Sequence, residues 1–416
     1  QMTATIDPQI LSAYLASKLD FYLAMLQEMV AINSFSANPA GVNHLAQLTA
    51  RQFAPLGFHA ELIPSADPLY GSHLILTRPG RTPRTIGCIS HLDTVFPAAE
   101  ETANQFHWQP AGERIYGPGT VDIKGGTVLI YMMLDALHHF TRDLYDDTTW
   151  VLLFDASEEA NGEHFGQICR QRLAGPQTLA ALIFEGGRLE GPEAQLVVAR
   201  KGMAVYHVTV TGKAAHAGAS HEQGANAIVQ MAETVRQIAS FTDYDRQITF
   251  NVGTIAGGTV VNRVPHFATA TVEMRAFDQA VYEEGMAKML ALSGQASVVS
   301  GNGQYPCHIS VTVNHTMPPW PRNAATDRLF AVWQAAAAAL GLRALPEERG
   351  GLSDGNYFWQ EIPTLDGLGP AGGNAHCSER SPDGSKEQEF VRPGSFIPKT
   401  LLNTTAVLAL LRNETP

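Results

Sequence analysis

The chain has 416 residues, 45% of them hydrophobic and 16% charged, with a formal net charge of -12 at pH 7. That length exceeds what one core organises and predicts two domains of ordinary globular composition. The acidic balance argues against nucleic acid and anionic membrane as partners and favours a small molecule or peptide; an acidic substrate would need local positive charge, from metal or Arg.

No run of about eighteen apolar residues predicts a transmembrane helix. The opening segment 1–18 lacks the basic and apolar stretches of a signal peptide, so any such leader is expected to have been removed already. Cys88, Cys169, Cys307 and Cys377 lie far apart with no CxxC pair. They read as free thiols in a reducing compartment, and the expected location is cytoplasmic.

In chain order, 72–77 and 85–90 read as strands, 127–140 as a helix, 149–154 as a strand, 163–173 as a helix and 180–184 as a strand. Strands alternating with helices predict a largely parallel sheet covered on both faces, with ligands bound beyond the carboxyl ends of its strands. The pattern changes near residue 199. There 205–210 is a strand, 225–241 a helix, 247–255 and 269–276 strands, 278–292 a helix and 309–313 a strand. This β-α-β-β-α-β order is the split βαβ or ferredoxin-like arrangement. Three prolines in 317–321 mark the return to the first domain. A helix over about 325–340 and a strand-like stretch over 365–373 complete it. The fold class is therefore α/β, with domains at 1–198, 199–316 and 317–416, the first and last forming one catalytic domain around an inserted α+β domain.

The chemistry gathers at strand ends. His91 and Asp93 follow the strand 85–90 and, alternating around Leu92, point to one side. A ligating His usually donates its second ring N–H to a carboxylate, a role open to Asp93; alone, the triplet is as readily structural. Asp122 is the one carboxylate in the Gly-rich segment 117–126, whose spacing does not fit a phosphate loop and which alone reads equally as a turn. Glu158 and Glu159 follow the strand 149–154. Adjacent carboxylates usually sit in solvent, but after a core strand they suit a cation, one as ligand and one as general base. Glu185 ends the strand 180–184, and His376 follows a Gly-rich stretch. Jointly, His91, Asp122, Glu159, Glu185 and His376 supply N and O donors for two zinc ions, with one carboxylate bridging.

These residues lie in motifs that resemble the zinc metallopeptidase family containing bacterial glutamate carboxypeptidase, acetylornithine deacetylase and succinyl-diaminopimelate desuccinylase. They are H-L-D-T-V at 91–95, G-P-G-x-x-D-x-K-G-G at 117–126, S-E-E at 157–159, F-E at 184–185, G-K-A-A-H-A-G at 212–218 and G-G-N-A-H at 372–376. The order spans nearly the whole chain, and the glutamate carboxypeptidase branch is nearest. The resemblance implies a parallel-sheet zinc-peptidase domain with an inserted lid that dimerises. It pairs His91 with Glu185 on one zinc and Glu159 with His376 on the other, Asp122 bridging and Glu158 acting as general base. It implies that His216 stabilises the oxyanion, commonly in the partner subunit's site, and that Asn262 and Arg275 bind the substrate's carboxylate. The 350–354 loop matches a substrate-side loop. Where relatives often have Asp, Met or Lys after the bridging aspartate, this chain has Ile123, and the resemblance implies a cis peptide there. The expected activity is a carboxypeptidase-like exopeptidase cutting an amide bond next to a carboxylate, with a small peptide or N-acyl amino acid as substrate and the protein a homodimer. The alternatives on this scaffold are an N-acyl amino acid deacylase, a dipeptidase or an amidohydrolase of ureido compounds; a metal- or peptide-binding protein without activity would require a lost ligand or a lost Glu158.

Overall fold

The computed structural model describes residues 6–413. The chain forms two compact units. The first comprises the segments up to Val198, Arg322–Glu348 and from Ser353 onward; the second is Ala199–Pro321 with the short return Arg349–Leu352.

The first unit is organised on a six-stranded sheet, in the order His59–Pro64, Ser72–Arg78, Thr149–Asp155, Thr85–His91, Thr178–Ile183, Thr364–Leu365. Thr85–His91 is buried along its whole length, as a strand covered on both faces must be. It runs parallel to Thr149–Asp155 and Thr178–Ile183, and Thr364–Leu365 extends the parallel set. The other two strands depart from the expected parallel order. Ser72–Arg78 is antiparallel to Thr149–Asp155, and His59–Pro64, not anticipated from the sequence, is antiparallel to Ser72–Arg78. The connection 65–71 is too short for a parallel crossover, so this pair closes as a hairpin.

The helix Gly125–Phe140 is buried from Gly125 through Leu137, and Glu163–Leu173 forms where expected. Three N-terminal helices and the C-terminal helix Phe396–Leu411 were not read from the sequence. Two of them carry clear start signals: Pro8 and Pro39 each open a helix whose first turn is capped, Asp7 accepting from Gln9 N and Asn38 from Gly41 N. The segment Pro393–Leu411 is long and apolar enough to span a membrane by length and composition, where the sequence predicts no such run. Here its Phe396, Leu402, Ala406, Val407 and Leu411 pack into the hydrophobic core of this unit. The strand-like stretch 365–373 resolves into two two-residue strands, with Gly367 at φ +75° between them. That left-handed turn, accessible to glycine, breaks the run.

The second unit is a four-stranded antiparallel sheet ordered Thr249–Gly257, Phe267–Ala276, Gly202–Thr211, His308–Met317. Strand Gly202–Thr211 alternates buried and half-buried residues along its length, the period of a sheet with one covered face. Helices Ala227–Ala239 and Gln279–Leu290 cover it, Met231, Ile238, Tyr282 and Met289 joining Tyr206, Val208, Val272 and Met274 in one core.

Candidate metal centre

The donors converge because the parallel strands end together. His91 is the last residue of its strand, Glu158 and Glu159 follow Thr149–Asp155, and Glu185 follows Thr178–Ile183. Asp122 reaches them from the Gly-rich segment. Gly126 explains why that segment needs glycine: a Cβ there would lie 2.0 Å from the carbonyl oxygen of Phe184, the residue before Glu185. Backbone is thus laid directly on the strand end that carries one ligand candidate to bring in another. The Asp122–Ile123 peptide is cis, as the resemblance implied.

All five ligand candidates and Glu158 meet in the first unit. His91 Nε2 lies 3.1 Å from Asp122 Oδ1, 3.6 Å from Glu185 Oε1 and 4.0 Å from Glu158 Oε2. His376 Nε2 lies 3.2 Å from Asp122 Oδ2 and 3.0 Å from Glu159 Oε1. Asp122 therefore offers one oxygen to each histidine. Two donor triplets follow, His91–Asp122–Glu185 and Asp122–Glu159–His376, and a third group brings Glu158 and Glu159 to His91.

The electrostatics fit a cationic guest. Burial raises the Glu158 carboxyl well above the ordinary carboxylate range; Glu159, Glu185 and Asp122 add to this and His91 opposes it. Glu159 is raised by burial and by Asp122, against its hydrogen bond to His376. Hydrogen bonds to Asp122 and Glu159 push His376 up to about 11. Burial works against a charged His91, but Asp122 and Asp93 hold it well above its usual value. Burial also works against ionised Asp122, yet His376 and His91 keep its carboxyl far below the usual range. Asp122 and the two histidines thus favour one another's charged forms. Divalent cations would balance the same charge through the same N and O atoms, so the residues fit a metal pair.

Asp93 faces His91, as its spacing suggests, and also the turn that carries the glutamate pair. His91 Nδ1 is 3.0 Å from the backbone carbonyl of Asp93 and 3.4 Å from Oδ1 of its carboxylate. That carboxylate accepts from Ser36 Oγ at 2.5 Å, from Glu158 N at 3.1 Å and from Glu159 N at 3.2 Å. The rest of the turn is held in the same way: Ala156 N donates to His73 Nδ1 (3.1 Å) and Ser157 N to Asp155 Oδ1 (2.8 Å). Four consecutive amides before and through the glutamate pair thus end on buried side chains. Asp354, at the end of the expected substrate-side loop 350–354, is buried. Its Oδ1 and Asp155 Oδ2 both face Gly162, and burial together with Asp155 raises the Asp354 carboxyl well above its ordinary range.

His216, Asn262 and Arg275 belong to the second unit. His216 Nδ1 accepts from Gly218 N and Ala219 N, both at 3.1 Å. The ring proton is therefore on Nε2, leaving an outward donor on an exposed residue. Asn262 is exposed beside it, its carbonyl accepting from Ala217 N at 3.0 Å. Arg275 is not with them. It stands at the far end of strand Phe267–Ala276, about 25 Å at 3.3 Å per residue from the start of that strand, which Asn262 precedes. It is forked onto Glu273 (2.7 and 3.2 Å) and donates to Gly350 O.

Among known proteins, residues 198–298 match the model of a peptidase dimerisation domain. The chain is 25% identical over 359 residues to carboxypeptidase G2 from Pseudomonas sp. (strain RS-16), covering 85% of this chain and 82% of that one. Its fold is shared with aminopeptidase PepT from Bacillus cereus ATCC 10987, at TM-score 0.73 and 22% identity, covering 94% of this chain and 98% of that one. It is also shared with an M20 family metallo-carboxypeptidase from Sulfolobus solfataricus, at TM-score 0.66 and 15% identity, covering 94% of this chain and 99% of that one. The chain thus carries a peptidase dimerisation domain, is similar to carboxypeptidase G2 along most of its length and has the fold of M20 family peptidases, in agreement with its motif order, and it is a hydrolase.

Proposed function

We propose that this chain is a two-zinc exopeptidase of carboxypeptidase type, cutting an amide bond next to a substrate carboxylate, with C-terminal glutamate as the first candidate. The observation that carries the reading is the sharing of Asp122 between the His91–Glu185 and Glu159–His376 donor sets, with Glu158 beside both. Zinc suits such N and O donors and, when bound as a pair, supplies Lewis-acid polarisation of the amide carbonyl and lowers the pKa of water toward about 7.

The chain's own groups do the rest. Glu158 takes a proton from the attacking water and returns it to the leaving nitrogen. The amide clamps on its turn fix where that carboxylate points. His216, with Nε2–H outward, donates to the developing oxyanion. Asn262 and Arg275 are assigned to substrate carboxyl groups, which a chain of net charge -12 would otherwise repel. Arg275 ends the strand Phe267–Ala276 and Asn262 precedes its start, so one small carboxylate held by both calls for a second copy.

A homodimer through the second unit is part of the proposal. Strand Thr249–Gly257 is an open sheet edge, and Ile228, Val229, Ile255 and Phe267 are exposed around it and the adjoining helix. Such an edge invites pairing. The test is release of amino acids from C-terminal dipeptides and N-acyl amino acids, with zinc restored and with a chelator. Chelator-sensitive release of a C-terminal residue supports the carboxypeptidase reading. Release confined to N-acyl amino acids moves it to a deacylase, and a protein that takes up no metal defeats it.

A further inference from the structure

Glu389 lies outside the donor set, thirteen positions beyond His376 in the sequence, and is fully buried. Its Oε1 accepts from Val121 N and Asp122 N, each at 3.0 Å. Its own N–H donates to Cys377 O (2.8 Å), and its carbonyl accepts from Gly117 N (3.3 Å). The following strand Phe390–Val391 lies between Arg114–Tyr116 and Gly372–Gly373. One residue therefore ties the segment that presents Asp122 to the loop that presents His376. A buried carboxylate is costly unless hydrogen bonds or a counter-charge balance it. Here the two amides offset only part of that cost, burial and the neighbouring Asp122 still raising the carboxyl, and Oε2 has no hydrogen-bond partner. Holding the amides on both sides of Val121 at one oxygen fixes the peptide planes leading into Asp122. It thereby fixes which Asp122 oxygen faces His91 and which faces His376.

We propose that Glu389 is a positioning residue for the metal pair, setting the orientation of Asp122 relative to His376. The inference rests on the reading of Asp122 as a bridging ligand. A group that only supports the fold would alter stability without altering how cobalt or zinc is held; a positioning group alters both affinity and ligand field. Outer partners of this kind typically contribute about 10- to 100-fold to metal affinity.

The experiment strips metal from the full chain, titrates it with Co²⁺, and reads stoichiometry, affinity and the visible d–d spectrum. It uses the wild type, Glu389→Ala, Glu389→Gln and Glu389→Asp, with circular dichroism as the check on folding. Glu389→Ala is expected to bind Co²⁺ about 10-fold or more weakly with a changed spectrum, and Glu389→Gln, which keeps an acceptor for both amides, to stay within about threefold of wild type. A folded Glu389→Ala protein with wild-type affinity and spectrum overturns the proposal. If Glu389→Ala does not fold, Glu389→Asp decides by the same titration: one methylene short, it cannot reach both amides, and wild-type behaviour there overturns the proposal equally. A wild-type chain that takes up fewer than two Co²⁺ ions defeats the bridging reading on which this one stands, a result separable from any effect of Glu389.

Discussion

The carboxylate of Asp93 is 3.1 Å from the backbone N–H of Glu158. The residue two positions after the first histidine ligand candidate is thus joined to the turn that carries Glu158, the proposed general base. Asp93→Ala removes the acceptor for two amides and the Ser36 hydroxyl together. It is expected to lower kcat about 100-fold and metal affinity about 10-fold. Asp93→Asn, which keeps one acceptor oxygen, should fall between. Steady-state kinetics with metal analysis of the same samples checks both, and equal loss in the two variants would remove the clamp from the account.

Glu158→Ala is expected to lower kcat by about 10²–10⁴ while the protein retains its metal. The donor triplets His91–Asp122–Glu185 and Asp122–Glu159–His376 do not include Glu158. Loss of metal along with activity would recast Glu158 as a ligand.

Metal removal should make stability fall as pH rises. The folded state raises Glu158, Glu159 and Asp354 above their ordinary carboxyl values, and raises His91 and His376 above that of free histidine. Each group therefore binds more protons folded than unfolded, and its contribution is lost as pH climbs through the folded value. Asp122, depressed, acts the other way only in the acid range. The Tm of the metal-free chain is expected to drop steadily from about pH 5 to pH 9, with zinc flattening the curve. A metal-free Tm that rises over that window would contradict the charge balance described.

Gly126→Ala places a methyl group 2.0 Å from Phe184 O, a backbone atom that cannot step aside. The expected cost is about 1–3 kcal/mol or more, with weakened metal binding because Asp122 and Glu185 are pushed apart. Denaturant titration gives the first number and Co²⁺ titration the second. Gly112→Ala serves as the control, since nothing lies within 4 Å of its added Cβ, although its φ of +60° costs something by itself.

Ile255→Asp on the open strand edge, or Val229→Glu on the adjoining helix, is expected to shift sedimentation toward the monomer. Activity should fall in parallel, because one chain cannot bring Asn262 and Arg275 to one carboxylate. A monomeric variant with full activity would show that the second copy contributes nothing to the site.

Much of the centre was legible because ligands follow apolar strands directly: Glu185 after A-L-I-F, and Glu158 and Glu159 after the run ending at Phe154. Burial of such a strand compels its end to face something, and charged residues there single it out. What stayed hidden acts through backbone amides. Ser36, His73 and Glu389 leave no spacing pattern, since an acceptor for an N–H can come from anywhere in the chain. The pairing of Arg275 with Glu273 was readable and went unread: residues two apart on a strand share a face. The antiparallel hairpin at 59–78 also carried a signal, in the shortness of its connection.

The donor sets draw on distant parts of the chain, and this has a consequence for biosynthesis. Four of the five ligand candidates have left the ribosome by Glu185, whereas His376 emerges only after the entire second unit. The His91–Asp122–Glu185 set is synthesised before the second unit begins, whereas the Asp122–Glu159–His376 set, the Glu389 brace and the core helix Phe396–Leu411 are complete only with the final segment, so the whole centre must wait for the end of translation.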